Sequence, residues 1–275
     1  MIPLATALAI PFPDIGPNLI EIGPIAIRWY ALSYIAGLLL GWQIAKFLAA
    51  RPPHVVKPEK IDDFLLWAAV GVVLGGRMGY VLFYKPAEFL ADPLEIFAVW
   101  HGGMSFHGGL LGSIAAIIAF AYRHKLNLFA FADIIAFATP PGLFFGRIAN
   151  FINGELWGRA SDVPWAMVFP HDRLQLARHP SQLYQALLEG ALLFAVLVIA
   201  ARFFGARRHP GMISGLFLAG YAIARLIGEM FREPDAHLGF IIGQSITMGQ
   251  LLSLPPLLFG LFLIWRAARK PALPA

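Results

Sequence analysis

The sequence predicts an all-α polytopic membrane protein of about seven transmembrane helices, with a small external cap between the fourth and fifth. Three observations predict it. Of the 275 residues, 59% are hydrophobic and 13% charged, whereas soluble domains hold about 45–50% apolar and about 25% charged residues. Apolar runs recur that reach the roughly 20 residues needed to cross a bilayer core as helix, and mean hydropathy is +0.69. Basic residues gather after every second run, as the positive-inside bias requires.

The spans fall near 25–48, 61–84, 105–121, 128–146, 182–202, 212–231 and 248–266. Residues 1–24 are expected to be an external lead-in lying on the membrane surface. Their early apolar stretch is broken by Pro3, Pro11, Pro13 and Pro17, and the first basic residue is Arg28, so the stretch lacks the basic region of a secretory signal. Arg51-Pro-Pro-His and Ala206-Arg-Arg-His-Pro-Gly211 mark breaks between spans. Lys46, Arg51, Lys57 and Lys60 follow span one, Arg123 and Lys125 span three, Arg202, Arg207 and Arg208 span five, and Arg266, Arg269 and Lys270 span seven. An odd number of spans puts all four clusters on one side, which is then cytoplasmic with the tail 267–275. The N-terminus, the loops 85–104 and 232–247, and the cap 147–181 face outward. Trp157, Pro164, Trp165 and Phe169 give the cap aromatic bulk, with short strands expected around Pro164–Phe169.

A net charge of +5 on such a chain describes loop topology and contact with anionic lipid; no nucleic-acid-binding motif accompanies it. The absence of cysteine excludes disulfides, thiolate metal sites and a cysteine nucleophile. Any thiol in a reaction here is brought by the other substrate. No strong metal signature is present, since His101 and His107, six apart, and His171 and His179 suit no common ligand spacing. No soluble cofactor is implied.

Polar residues next to or inside apolar runs need partners. The run Leu128–Phe145 leads directly into Gly146-Arg-Ile-Ala-Asn-Phe-Ile-Asn-Gly-Glu-Leu-Trp-Gly158. A fixed cation at the end of a membrane helix is costly, so Arg147 points to an anionic partner, with lipid phosphate the leading candidate. If the helix continues past Gly146, then Arg147, Asn150 and Gly154 share a face. Asn150 and Asn153 then either bind glycerol hydroxyls or cap the helix end, and Glu155 either meets substrate or neutralises an arginine. Span six carries Tyr221, Arg225 and Glu229, followed by Arg232. Arg225 and Glu229, four apart, can form a structural ion pair. Arg232 lies on nearly the same face, and the surplus of positive charge favours a phosphate site.

His101-Gly-Gly-Met-Ser-Phe-His-Gly-Gly109 sets two histidines among glycines at a helix start, where backbone can approach closely and N–H groups can face an anion. His107 is the catalytic candidate there. Ser105 lacks the strained turn of a hydrolase nucleophile. Gly75 and Gly76 suit close helix packing, and Arg77 beside them needs Asp133, Glu189 or a lipid phosphate as partner. Tyr30, beside Arg28 and Trp29, is either an interfacial anchor or a hydroxyl donor to a lipid head group.

Taken together, Arg28-Trp-Tyr30, Gly75-Gly-Arg77, Gly102-Gly-Met-Ser-Phe-His-Gly-Gly109, the Gly146–Gly158 run, His179-Pro-Ser-Gln-Leu-Tyr-Gln185, Arg225 to Asp235 and Gly249-Gln-Leu-Leu-Ser-Leu-Pro255 resemble the prolipoprotein diacylglyceryl transferases. These are bacterial inner-membrane enzymes, and the matching pieces stand in family order along nearly the whole chain. His101 and Gln185 depart from the residues expected there, often glutamine and glutamate. The resemblance implies transfer of a diacylglyceryl group from phosphatidylglycerol to the lipobox cysteine of a prolipoprotein, giving a thioether and glycerol phosphate. It implies His107 as general base or thiol-orienting group, with Arg147 and Arg225 holding the departing phosphate. Tyr30, Asn150 and Glu155 would position the head group and Gly158 would permit close approach. Glu229 would fix Arg225 and Arg232 would recruit substrate at the outer surface, while Arg77 and Tyr221 are further candidates for contact with the lipid.

Two other classes compete. A transporter or flippase for an anionic lipid would use the same arginines without bond-making, but predicts internal repeats that the sequence does not show. A structural scaffold leaves the glycine–histidine block without a purpose.

Overall fold

The structure is a computed structural model that describes residues 9–23, 25–234, 239–242 and 246–274. Residues 1–8 and 24 of the expected lead-in, and Asp235 of the motif beginning at Arg225, lie outside the described residues. Among those described, seven helices are long and apolar enough to cross a membrane: α1 (Trp29–Ala49), α2 (Pro58–Phe83), α3 (Phe106–Arg123), α4 (Leu128–Ile152), α5 (Ser181–Phe203), α6 (Met212–Phe231) and α7 (Met248–Ala268). Large apolar side chains such as Leu38, Leu66, Leu74 and Leu258 stay exposed along them. Such a surface suits hydrocarbon rather than water. The chain is thus a multi-pass, all-α membrane protein.

Local chemistry sets the helix ends. Pro58 opens α2 with Glu59 in its first turn, Ser105 caps α3 by accepting from the Gly108 N–H, and Thr247 with Gln250 forms a capping box at α7. Span one begins later than 25, because Ile25–Arg28 pairs as an antiparallel strand with Asn18–Ile22 before α1 starts. Span four continues to Ile152, seven residues past the Phe145 that ends its apolar run. It is interrupted near Thr139, where Pro140 and Pro141 start a fresh turn.

The chain divides into two compact units. The smaller, Ala45–Ile134, is built on α2 and α3, which pack through glycines spaced four apart. Gly71, Gly75 and Gly79 of α2 face Gly108 and Gly112 of α3, and a Cβ on Gly75 would meet the Gly112 Cα at 2.8 Å. Small residues at this spacing let helix backbones touch, the usual means of association where no hydrophobic effect separates helix from lipid. Phe64, Phe120 and Phe131 close one end of the unit with ring centroids 5.1–5.3 Å apart.

In the larger unit, Gly215 of α6 packs on Gly260 of α7, and Gly37 of α1 on Gly142 of α4. Between α4 and α5 the chain forms a compact segment with short strands Met167–Val168 and Ala177–Arg178, the first parallel to Ile10–Pro11. Phe169 is fully buried there against Phe12, Phe151 and Trp157. Asp172 and Arg178, both buried, pair at 2.7 Å. Burial alone would raise the Asp172 carboxyl, but Arg178 and the backbone N–H groups of Leu174 and Leu176 outweigh it and hold it below the ordinary carboxylate value.

Candidate active site

Three helices of the larger unit bring fixed charge into one buried network. On α4, Arg147 and Asn150 stand one turn apart because the helix runs on past Gly146. Its end comes at Asn153, followed by Gly154 at φ +62°, a left-handed cap residue. Gly154 therefore terminates the helix instead of sharing the Arg147 face. Asn150 caps nothing and instead donates to Glu155 Oε1 at 2.7 Å, so Glu155 serves an amide and not an arginine.

Glu189 on α5 is fully buried and takes both Arg147 hydrogen bonds on Oε2, from Nε at 3.0 Å and Nη2 at 2.9 Å. Two local features bring it there. Ala186–Leu192 widens into a π-helical turn, a device frequent at functional sites. Gly190 then lets the Phe144 backbone approach so closely that a Cβ would meet its Cα at 2.8 Å. Glu189 was weighed from sequence only as a partner for Arg77, although a lone carboxylate in an apolar span is itself a signal.

From α6, Arg225 pairs with Glu229 Oε1 at 2.5 Å, as the four-residue spacing predicts, and its Nη1 lies 3.8 Å from Glu189 Oε1. Arg232 Nη1 is 3.9 Å from Glu229. Expected at the outer surface, Arg232 is 9% exposed and belongs to the buried set. Tyr221 stands in electrostatic range of Glu189, Arg225 and Arg147. Tyr30 of α1 shares its hydroxyl with Tyr34 at 3.1 Å and stands in range of Glu155 and Arg147. Arg147, Arg225 and Arg232 thus meet the carboxylates of Glu189 and Glu229 in one network of fixed charge. In low dielectric such charges interact strongly with one another and with any anion that reaches them.

The network is braced from outside by further residues, of which Thr247 and Arg159 carry no signal in the sequence. Thr247 at the start of α7 donates to Glu229 Oε2 at 2.7 Å, and Gly249 lies flat against the same carboxylate. The carboxylate thus sits on a helix N-terminus, where negative charge is favoured. Arg159 donates to the carbonyls of Arg232 (3.0 Å) and Glu229 (3.3 Å), closing the end of α6 with a cation. Gly158 permits a close approach, but by the chain itself: a Cβ there would meet Phe231 O at 2.5 Å and His179 Cβ at 2.6 Å. Gln185, fully buried, packs against Gly228.

Arg77 and His107 belong to the smaller unit. Arg77 is 4% exposed, and its partners are neither Asp133 nor Glu189. It donates to the carbonyls of Glu95 (2.5 Å), Ile96 (2.9 Å), Ala98 (3.2 Å) and Gly102 (2.5 Å), gathering the loop after α2 around one guanidinium. His101 accepts or donates at Glu95 Oε1, 2.7 Å away. His107 is the second residue of α3, its ring exposed and edge-on to Phe106. Of its glycine flanks, Gly108 is taken up by packing on Gly75 and Gly79.

A sequence model of the family described as prolipoprotein diacylglyceryl transferase matches residues 17–266. A phosphatidylglycerol–prolipoprotein diacylglyceryl transferase of Paramagnetospirillum magneticum is 61% identical over 265 residues, covering 96% of this chain and 98% of that one. Proteins of the same name from Azospirillum brasilense (57%, covering 96% and 99%) and Rhodospirillum rubrum (56%, covering 97% and 98%) are similar over the same extent. The match runs from before α1 to the last turns of α7 and takes in every helix of the charge network, so the chain belongs to the prolipoprotein diacylglyceryl transferase family.

Proposed function

We propose that this chain transfers the diacylglyceryl group of phosphatidylglycerol to the lipobox cysteine thiol of prolipoproteins, the first step of their lipidation. The observation that carries the reading is the convergence of Arg147 and Arg225, each with part of its side chain exposed, on the fully buried carboxylate of Glu189. Guanidinium groups held at membrane depth are costly, and their forked donors suit a phosphate.

In the step itself the thiolate sulfur attacks the diacylglyceryl carbon that bears the phosphate. A C–S bond forms, the C–O bond breaks, and the electron pair leaves with glycerol phosphate. Negative charge grows on the leaving group, so Arg147 and Arg225 lower the barrier by holding the phosphate oxygens. Glu229, seated on Thr247 and α7, fixes Arg225 in that role, and Arg232 adds positive potential. Tyr30, Asn150 and Glu155 position the glycerol head group, and Tyr221 lies along the same face as Arg225. A cysteine thiol has a pKa of about 8.5, so the proton must be taken up or the thiolate stabilised. His107 is the residue assigned to that proton. The chain is read as lying in a bacterial inner membrane with its C-terminus cytoplasmic and the segment between α4 and α5 outside, an orientation that the basic clusters after spans one, three, five and seven support. Phosphatidylglycerol and the prolipoprotein peptide are the two substrates.

The test is a mass-shift assay in phosphatidylglycerol vesicles, with purified protein and a peptide carrying the lipobox cysteine. The expected result is a diacylglyceryl mass gain that disappears with Arg147→Ala and with a Cys→Ser peptide. No gain with folded protein and inserted peptide would turn the reading to lipid transport. Near-normal turnover of His107→Gln from about pH 6 to 9 would remove His107 as general base.

A further inference from the structure

The α5 carboxylate stands where an anionic ligand of the two arginines would compete with it. Glu189 Oε2 takes both Arg147 hydrogen bonds, while Oε1 faces Arg225 Nη1 at 3.8 Å. That second contact is too long for a hydrogen bond. Both of its atoms are buried, and neither has a hydrogen-bond partner. One side of the carboxylate is therefore satisfied and the other is a bare charge contact, which is an expensive arrangement in low dielectric. Arg147 and Arg225 keep 17% and 14% of their side chains exposed, whereas Glu189 has none. Part of each arginine side chain is thus open where Glu189 is not, and Arg225 gives up only a 3.8 Å charge contact on leaving Glu189, its 2.5 Å pair with Glu229 being separate.

We infer that Glu189 is a positioning residue that competes with phosphate for Arg147 and Arg225, weakening the hold on bound lipid and speeding departure of glycerol phosphate. This rests on the transferase reading above. A carboxylate that only braced two helices would strengthen the site for lipid, and its loss would weaken binding. A competing carboxylate predicts the opposite sign. Replacing it with an amide removes one negative charge beside the phosphate, so lipid and product are both held more tightly. Uniformly tighter binding lowers KM without speeding the chemical step, and slower product release lowers kcat.

The experiment varies the phosphatidylglycerol fraction in neutral-lipid vesicles, reads initial rates of peptide mass gain, and repeats them with added glycerol phosphate. For Glu189→Gln the apparent KM falls by about five- to tenfold, the scale of one lost ionic competitor. Its kcat falls alongside, and glycerol phosphate inhibits at correspondingly lower concentration. Glu189→Asp keeps the charge but withdraws it by one methylene. It shifts KM and inhibition less, in the same direction, and carries the test if Glu189→Gln does not fold. A raised KM or unchanged product inhibition in a folded variant overturns the inference. Failure of the unsubstituted chain to transfer at all overturns the transferase reading and the inference with it.

Discussion

Two helix contacts in this molecule are built on opposite principles. Between α2 and α3 the contact is made of absence: Gly71, Gly75, Gly79, Gly108 and Gly112 bring backbone against backbone with no charge between them. Among α4, α5 and α6 the contact is made of charge, with Glu189 between Arg147 and Arg225. The first stabilises by van der Waals packing alone, which lipid matches poorly only because the fit is so close. The second carries a desolvation cost that packing alone would never require. Glycine appears in both, at Gly75 to close a gap and at Gly190 to deliver a carboxylate. The same residue type serves adhesion in one place and chemistry in the other.

That contrast can be broken from either side. The largest effect is expected from Arg147→Lys, which keeps charge but loses the forked pair of donors proposed to hold the phosphate. Turnover in the mass-shift assay should fall by about 100-fold, equivalent to about 2.7 kcal/mol. Next, Gly75→Ala pushes a methyl group into the Gly108 carbonyl and the Gly112 Cα, and should cost about 2 kcal/mol in thermal unfolding in detergent. Thr247→Val removes the hydroxyl that holds Glu229 and should lower kcat by about tenfold, about 1.4 kcal/mol, while Thr247→Ser restores most of it. The smallest change belongs to Lys60→Ala. The Lys60–Asp63 pair, at 2.6 Å, is nearly as short as Arg225–Glu229 at 2.5 Å, but both of its side chains are exposed. Its loss should move stability by less than about 0.5 kcal/mol. An equal loss from Lys60→Ala and Thr247→Val would erase the distinction between a solvated pair and a buried one.

Much of this could be read from residue spacing. Seven apolar runs became seven helices, and the four-residue step from Arg225 to Glu229 became an ion pair. Hydropathy failed where function begins. It stopped span four at Gly146 because Arg147 and Asn150 are polar, although helical hydrogen bonding continues to Ile152. Spacing also does not say which of several carboxylates an arginine will meet. For Arg77 the sequence offers Asp133, Glu189 or a lipid phosphate as partner, whereas its guanidinium donates to loop carbonyls 18 to 26 residues away. Such a partner leaves no residue-type signature, because every residue carries a carbonyl. Thr247 was equally invisible, since its bond to Glu229 joins segments 18 residues apart through a loop. Gly158 allows the close approach its glycine suggests, with Phe231 and His179 as the neighbours that spacing does not reveal.

The π-helical turn at Ala186–Leu192 has a consequence for the length of α5. A turn of this kind holds one residue more than an α-helix of the same rise, so the helix carries a surplus within the stretch that contains Glu189. Residues after the turn stand about 100° out of phase with a regular continuation of those before it. Gln182 and Gln185 at the start of α5, and Leu193 and Leu197 beyond the turn, are all buried, and the shift narrows the arc they occupy from about 120° on a regular helix to about 80°. The arithmetic of the chain, one residue too many for its own axis, is what lets an otherwise oily helix present a carboxylate sideways.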